Sequence, residues 1–296
     1  MDNKVLRPKK SMFVLLLGPG IAWYVFAVIV PLLGSLRYSF FSFKGMRADK
    51  FAGLANYAEL VNDLLFWNSL KNNMIITVLC VIGQIGLALI FATMLNSRMA
   101  KLKNLHRAVL FFPGVLSMVI VGFIWTIMYN NDYGLINFFL RALRLDFLIL
   151  PWLDDPRYVI YFVSIPIIWQ YIGYYMVIIM AGMSSISGEV YEMAKIDGVN
   201  GWKELIYITI PLIKNTIIVC LMLCISGNMQ VFDHIFVMTM GGPGTSSAVM
   251  ALYGYSKTFT QVRIDYGNTI SIGILLTSLI LILITRRIIG GRKVEY

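Results

Sequence analysis

Side chains able to carry acid–base chemistry are few in this chain, and Asp233 and His234 form the most obvious pair. A carboxylate beside an imidazole can orient the ring, but the pair also needs a nucleophile held against it. The sequence places no nucleophile with these two residues. It also lacks the G-x-x-x-x-G-K-[ST] pattern of nucleotide-binding loops. We therefore expect no catalytic site, metal site or nucleotide site in this chain.

A second group of side chains could bind a ligand without reacting with it. Aromatic rings stack on flat apolar faces, and amides hydrogen-bond to polar groups. A cluster of five residues contains both types, namely Trp169, Gln170, Tyr171, Tyr174 and Tyr175. Two further amides, Asn228 and Gln230, follow later in the chain. These seven residues could line a ligand pathway, although packing between helices uses the same residue types.

The composition around these residues is that of a membrane protein. Of 296 residues, 58% are hydrophobic and 14% are charged, whereas a soluble domain carries about 25% charged residues. A helix needs about 20 apolar residues to cross a bilayer. Six stretches without Asp, Glu, Lys or Arg meet or nearly meet that length: Ser11–Leu36, Asn72–Ser97, Ala108–Asn131, Tyr158–Gly188, Asn215–Phe232 and Tyr266–Thr285. The sequence predicts an all-α polytopic membrane protein with six transmembrane helices.

The distribution of basic residues predicts its orientation. Lys and Arg are enriched in the N-terminal tail, between the second and third stretches, between the fourth and fifth, and after the sixth. Most acidic residues fall in the other loops. Cytoplasmic loops carry such an excess of basic residues. We therefore expect cytoplasmic tails at residues 1–10 and 289–296, with a membrane domain over residues 11–288.

Prolines and the first outer loop add detail. Each proline within or near the end of a stretch would kink its helix, and these are Pro31, Pro113, Pro166 and Pro211. Apolar residues at near-helical spacing between Arg37 and Lys71 predict a short interfacial helix. Three cysteines lie in apolar stretches and are predicted to be buried thiols, namely Cys80, Cys220 and Cys224.

The cytoplasmic loop 187–212 contains the clearest local signals. Ser187 can cap a helix beginning near Glu189, and Gly198 can end it in the left-handed conformation. A second helical stretch is expected to begin near Gly201 and to run on into the fifth stretch. Side chains of modest size recur every four residues on the first helix, with charged residues beside them. A docking surface and a solvated loop explain this pattern equally well.

The run from Glu192 to Gly198, Glu-Met-Ala-Lys-Ile-Asp-Gly, resembles the EAA motif of binding-protein-dependent ABC importer permeases. That motif has the pattern E-A-A-x-x-x-G, and Met193 replaces its first Ala here. In that family the loop is a coupling helix that enters a cleft on a separate ATPase subunit. The resemblance implies the type I ABC importer permease fold. Together with the flanking charge of Glu189, it implies that docking is carried by Glu189, Glu192, Ala194, Asp197 and Gly198.

Further matches resemble the maltose-type, carbohydrate branch of the family: Phe51-Ala-Gly-Leu-Ala-Asn-Tyr57, Phe232-Asp233 and Met240-Gly-Gly-Pro243. The resemblance implies ATP-driven import of a carbohydrate, and it favours an oligosaccharide. Import would proceed by alternating access in a bacterial or archaeal cell membrane. The implied partners are a second related permease chain, two ATPase subunits, an extracytoplasmic solute-binding protein and the carbohydrate, with no nucleic acid. ATP and Mg would be bound by the ATPase subunits, and this chain would be a permease rather than an enzyme.

Two other classes of protein make different demands. An ion-coupled secondary transporter is the main alternative, and it would need acidic residues in the middle of its spans. The six apolar stretches contain none. A membrane-embedded enzyme would need converging His, Asp and Glu side chains. The two histidines of the chain, His106 and His234, fall on opposite sides of the membrane in the predicted topology.

Overall fold

The structure is a computed structural model that describes residues 10–96, 102–199 and 201–289. The predicted tails therefore lie almost entirely outside the described residues. The chain divides into two compact units, one formed by Met1–Asn62 with Gly254–Gly273 and the other by Asp63–Tyr253 with Ile274–Tyr296. The cysteines at positions 80, 220 and 224 are buried free thiols, as predicted.

The first unit begins with one long apolar helix. Helix α1 (Lys10–Tyr24), a π-helical turn (Val25–Ile29) and α2 (Val30–Tyr38) follow each other without a break. The π-helical turn ends two residues before Pro31, whose ring disturbs the hydrogen bonding of the turn before it. The predicted first span is thus one helix with a local irregularity at its proline.

A β-hairpin follows this helix and was not predicted. Strands β1 (Phe41–Lys44) and β2 (Arg47–Phe51) are antiparallel, with Gly45 in the turn at a positive φ of 63°. Strands this short, one of them fully exposed, leave little periodicity in the sequence. Helix α3 (Ala55–Asn62) comes next and confirms the predicted short helix of this loop.

Side-chain contacts tie the first unit together. The Asn56 amide donates to the carbonyl oxygens of Ser39 (2.9 Å) and Phe41 (3.0 Å). Arg263 donates to both carboxylate oxygens of Glu59, at 2.7 and 2.8 Å. These two carboxylate bonds raise the pKa of the Arg263 guanidinium, and Asp265 adds to the effect. The loop before the last helix therefore contacts α3.

The second unit contains most of the helices, and its numbering continues in chain order. The helices before the longest one are α4 (Leu64–Cys80), α5 (Gly86–Asn96), α6 (Lys103–Phe111), α7 (Met118–Met128) and α8 (Leu135–Ala142). The others are α9 (Val159–Ser184), α10 (Gly188–Ile196), α11 (Trp202–Glu204), α12 (Ile210–Leu212), α13 (Lys214–Met229) and α14 (Asp233–Met238). Helices α15 (Met250–Tyr255) and α16 (Ile264–Ile289) contribute residues to both units.

Helix α9 is the centre of the second unit. It packs against α4, α5, α6, α7, α13 and α14. Buried residues recur along the whole length of α9, from Val159 to Met183, as expected of a helix surrounded by others. Its internal Pro166 is tolerated within a continuous helix. The fourth predicted span is therefore one continuous element that the rest of the unit surrounds.

Four helices of the described chain are long and apolar enough to cross a membrane, namely Val14–Tyr38, Leu64–Asn96, Val159–Ser184 and Ile264–Ile289. Two further pairs meet the same test only when taken together. The first pair bends by 97° between Val115 and Met118, and the second bends by 79° at Ile213. The six predicted stretches are all present as helices, but the third and fifth are sharply bent rather than single straight spans.

A proline lies close to each of the two bends. Pro113 lies in a short 3₁₀ turn (Phe112–Val115), after which Leu116 is extended with ψ 148°. Pro211 lies two residues before Ile213, where the backbone leaves the helical region. A proline removes one backbone donor and obstructs the preceding turn. The expectation that the second helical stretch of loop 187–212 runs on into the fifth span is therefore wrong, because the chain turns at Ile213.

Buried carboxamides bind backbone carbonyl oxygens throughout the second unit. Four such bonds of 2.8 to 3.0 Å connect separate segments: Asn72 to Ala248, Asn73 to Asn228, Gln84 to Ile167 and Gln170 to Leu116. Backbone groups at breaks and loops must be paired when water is absent. These side chains supply the missing partners.

Asn73→Ala tests this role. The Asn73 side chain is fully buried, donates to Asn228, and accepts a 2.8 Å bond from the Met250 backbone N–H. Removing it leaves buried groups unpaired, so we expect a loss of about 2–3 kcal/mol in the free energy of unfolding. The measurement is thermal unfolding of the purified chain in detergent. Asn62→Ala is the matched control, because the exposed Asn62 amide donates within its own helix, to the Ala58 carbonyl, and to no other group in the described part of the chain. Equal unfolding midpoints for the two variants would contradict the prediction.

Candidate functional site

The second unit contains a cavity of about 390 Å³, within the range of small-ligand sites. Three tyrosines of α9 form one wall, namely Tyr171, Tyr174 and Tyr175. The ring centroids of Tyr174 and Tyr175 are 5.2 Å apart at an interplanar angle of 79°. Tyr174 is the most exposed of the three, so part of its ring is open to the cavity.

Further lining residues come from the end of α13 and the start of α14. They include the polar side chains of Asn228, Gln230, Asp233 and His234, and Gln84 is added from the π-helical turn after α4. Apolar groups fill the rest of the surface, including Met118, Ile167, Leu223 and Phe232. A lining that combines aromatic rings with hydrogen-bonding groups suits a ligand with both apolar faces and hydroxyl groups.

The structure brings together five of the seven residues predicted for the ligand pathway. Tyr171, Tyr174, Tyr175, Asn228 and Gln230 line the cavity. The other two do not. The Trp169 ring instead packs against Trp125 at 5.9 Å, and the Gln170 side chain is buried behind the cavity wall.

Gln170 has a supporting position instead of a lining one. Its amide nitrogen donates to the Leu116 carbonyl at 2.9 Å, at the bend of the third span. Its amide oxygen lies 2.7 Å from His234 Nε2. A carbonyl oxygen only accepts, so His234 Nε2 carries the proton. Gln170 therefore connects the broken span to α14 and fixes the tautomer of His234.

His234 is held neutral. It is 1% exposed, and its Nδ1 atom is buried without a hydrogen-bond partner in the described part of the chain. Burial lowers the pKa of the His234 imidazole to about 4, although the neighbouring Asp233 opposes this change. An uncharged ring gives the cavity no positive charge at neutral pH.

Sequence reasoning missed three polar residues of the cavity lining: Gln84, Asp233 and His234. Gln84 could have been found, because a glutamine inside an apolar span needs a partner. Asp233 and His234 were considered only as a catalytic pair. Among the described residues, no cluster of three or more His, Cys, Asp and Glu side chains could hold a metal ion.

The second candidate site is the loop that contains α10. This helix begins at Gly188 and ends at Ile196, close to the predicted bounds. Gly198 has a φ of 73°, and the Val199 N–H donates to the Ala194 carbonyl at 2.8 Å. This bond is characteristic of a Schellman helix end, which a glycine in the left-handed conformation permits. The expected ending of the helix by Gly198 is confirmed.

Exposure divides the five predicted docking residues into two groups. Glu189, Glu192, Asp197 and Gly198 are exposed, and a Cβ atom added to Gly198 would meet nothing within 4 Å. Ala194 is 5% exposed. Its methyl group is covered by this chain, so Ala194 fixes the position of α10 rather than presenting a contact surface. The exposed groups form a polar surface with a clear approach to Gly198.

Comparison with known proteins identifies the class of protein that this fold and these sites define. A family model described as "Binding-protein-dependent transport system inner membrane component" matches residues 84–290. The chain belongs to this family. It is therefore a multi-pass membrane component of a binding-protein-dependent transport system, as the sequence predicted, and this family membership disfavours the ion-coupled alternative.

Particular relatives cover almost the whole chain. A probable ABC transporter permease protein of Pyrococcus horikoshii is 34% identical over 277 residues, which cover 93% of this chain and 94% of the relative. The lactose transport system permease protein LacF of Rhizobium radiobacter is 34% identical over 265 residues, or 88% of each chain. A crystal structure of a bacterial ABC transporter involved in the import of the acidic polysaccharide alginate matches with a TM-score of 0.80 and 23% identity, covering 94% of each chain. That likeness confirms the predicted permease fold.

Proposed function

We propose that the chain is the permease subunit of an ATP-driven importer for an oligosaccharide. The cavity lined by three neighbouring tyrosines is the observation that carries this proposal. Sugar rings present apolar C–H faces that stack on aromatic rings, while their hydroxyl groups bond to amides and carboxylates. The names of several relatives support a carbohydrate, including lactose and arabinooligosaccharides.

The energy for transport comes from separate ATPase subunits in this proposal. The chain has no phosphate-binding loop of its own. Helix α10 presents exposed carboxylates beside an unobstructed glycine, which suits insertion into a cleft on another protein. Glu189, Glu192, Asp197 and Gly198 would contact the ATPase, and Ala194 would hold the helix in place. ATP and Mg would be bound by that subunit, and this chain would catalyse no reaction itself.

The complete importer would have further partners. A second, related permease chain supplies the other half of the pathway, and a solute-binding protein delivers the sugar from outside. A solved relative is described as in complex with an alginate pentasaccharide-bound periplasmic protein, which supports this last partner. The excess of basic residues in the corresponding loops supports a cytoplasmic position for both termini and α10. Docking at α10 would then act from the side where ATP is available.

Tyr174→Ala tests the proposed pathway. It removes the most exposed ring of the tyrosine wall, and we expect the apparent affinity for sugar to fall about tenfold, which corresponds to about 1.4 kcal/mol of lost stacking. The measurement is uptake of labelled di- to pentasaccharides by cells that express the importer.

Tyr161→Ala is the matched control. Tyr161 lies on the same helix, is 48% exposed, and does not line the cavity. We expect uptake by this variant to stay close to that of the parent chain. If no oligosaccharide is taken up by the parent importer, the proposed function is wrong. If Tyr174→Ala and Tyr161→Ala behave alike, the cavity is not the pathway.

A further inference from the structure

In the described part of the chain, the cavity lining contains an acidic side chain but no basic one. Among the described lining residues there is no Lys or Arg, and Asp233 is the one carboxylate. His234 beside it is neutral because it is buried. The part of the pathway formed by this chain therefore has a negative charge and no group that would neutralise an anionic ligand.

The Asp233 carboxylate is also available to a ligand. It is half-buried at the first position of α14, and it accepts no hydrogen bond from another side chain in the described part of the chain. Carboxylates in partly buried positions form strong hydrogen bonds with hydroxyl donors. The nearby tyrosine wall can hold a sugar ring with its hydroxyl groups directed towards the α14 side of the cavity. Asp233 is thus placed to accept from those hydroxyl groups.

We propose that this cavity selects uncharged oligosaccharides and rejects acidic ones, with Asp233 as the residue that determines this specificity. The inference rests on the proposed function, since it names the substrate class of the same site. A uronic acid or sulfonated sugar would bring a second negative charge next to Asp233 at low dielectric, without a nearby cation. Rejection by an unfavourable charge is an effective source of specificity. A neutral sugar of the same shape meets aromatic and apolar surfaces, amide groups, and a carboxylate that accepts from its hydroxyl groups.

The test measures binding directly, so that selection by a solute-binding protein does not intervene. The purified importer, with its partner permease and ATPase subunits but no solute-binding protein, is placed in nanodiscs. Binding is measured by thermal shift and calorimetry. The probes are neutral di- to pentasaccharides and the same sugars oxidised at C6 to uronic acids. We expect the parent importer to bind at least one neutral sugar, and to bind its uronic acid at least tenfold more weakly.

Asp233→Asn keeps the size of the side chain and removes its charge. We expect this variant to bind neutral sugars several-fold more weakly than the parent does. We also expect its affinity for a neutral sugar to exceed that for the matching uronic acid by less than threefold. Asp233→Glu retains the charge and should retain the preference. Asp154→Asn changes the net charge by the same amount at an exposed loop outside the cavity. It should leave the affinities for the neutral sugar and for its uronic acid unchanged.

The possible results separate the two proposals. If a uronic acid binds the parent importer as tightly as its neutral counterpart, the inference is overturned while the proposed function stands. The same holds if Asp233→Asn leaves the preference unchanged. If no oligosaccharide binds, both the proposed function and the inference that depends on it are overturned.

Discussion

Gly198→Val is expected to leave the chain folded and inserted in the membrane while reducing sugar-stimulated ATP hydrolysis by the importer at least tenfold. Gly198 ends α10 with a φ of 73°. A β-branched residue in this conformation costs about 1–2 kcal/mol, so the Schellman end would be replaced by another one. The branched side chain would also occupy the open approach to this position. Both changes displace the surface that we propose docks on the ATPase.

The measurement is ATP hydrolysis by the purified complex with and without sugar-loaded solute-binding protein. Gly45→Val is the matched control, because Gly45 has a φ of 63°, has nothing within 4 Å of an added Cβ, and lies in the β-hairpin. The Gly45→Val variant therefore imposes a similar backbone strain at a position far from α10 in the sequence. Full sugar-stimulated hydrolysis by the Gly198→Val complex would show that the docking assignment is wrong.

Gly173→Ala should strongly destabilise the second unit, because it adds a methyl group where the backbones of α6 and α9 almost touch. A Cβ atom at Gly173 would overlap the Leu110 carbonyl oxygen and lie 2.6 Å from the Phe111 Cα atom. These are backbone atoms, so relief requires α6 and α9 to move apart. Overpacking of this kind costs about 1–3 kcal/mol or more. We expect a clear fall in the thermal unfolding midpoint of the purified chain in detergent and a lower yield of folded protein.

Gly86→Ala supplies the comparison. Gly86 also lies in a helix that packs against α9, but an added Cβ meets no atom within 4 Å. The extra methyl group should leave stability unchanged or raise it by up to about 1 kcal/mol, because alanine is the better helix former. If both variants unfold at the parent temperature, α6 and α9 are not as close as the structure shows.

The membrane helices could be predicted from the sequence because a bilayer makes a simple demand. About 20 residues without charge are needed for each crossing, and such runs are visible without knowledge of any contact. The bends were harder to predict. Pro31 and Pro166 leave their helices continuous, whereas Pro113 and Pro211 lie beside turns of 97° and 79°. A proline permits a bend, but the packing around it decides whether one forms.

In the candidate site, too, some features could be predicted from the sequence and others could not. The tyrosines of α9 were predicted from their type and spacing, since an aromatic cluster deep in a span is uncommon. The separation of Gln170 from that cluster was not predictable, because it depends on the carbonyl that Leu116 exposes at a bend. Asp233 was considered only as part of a catalytic pair with His234 and was set aside because no nucleophile lies with them. That it lines the cavity depends on its neighbours in space.

The buried carboxamides have a consequence for how the protein responds to its surroundings. Asn72, Asn73, Gln84 and Gln170 connect the second unit through amide groups, which carry no charge and neither gain nor lose a proton near neutral pH. Ionic bonds, in contrast, weaken as salt increases. A transporter held together in this way can face a cell exterior of varying acidity and salinity with its internal contacts unchanged. Ion pairs such as Arg263 with Glu59 would respond to salt instead.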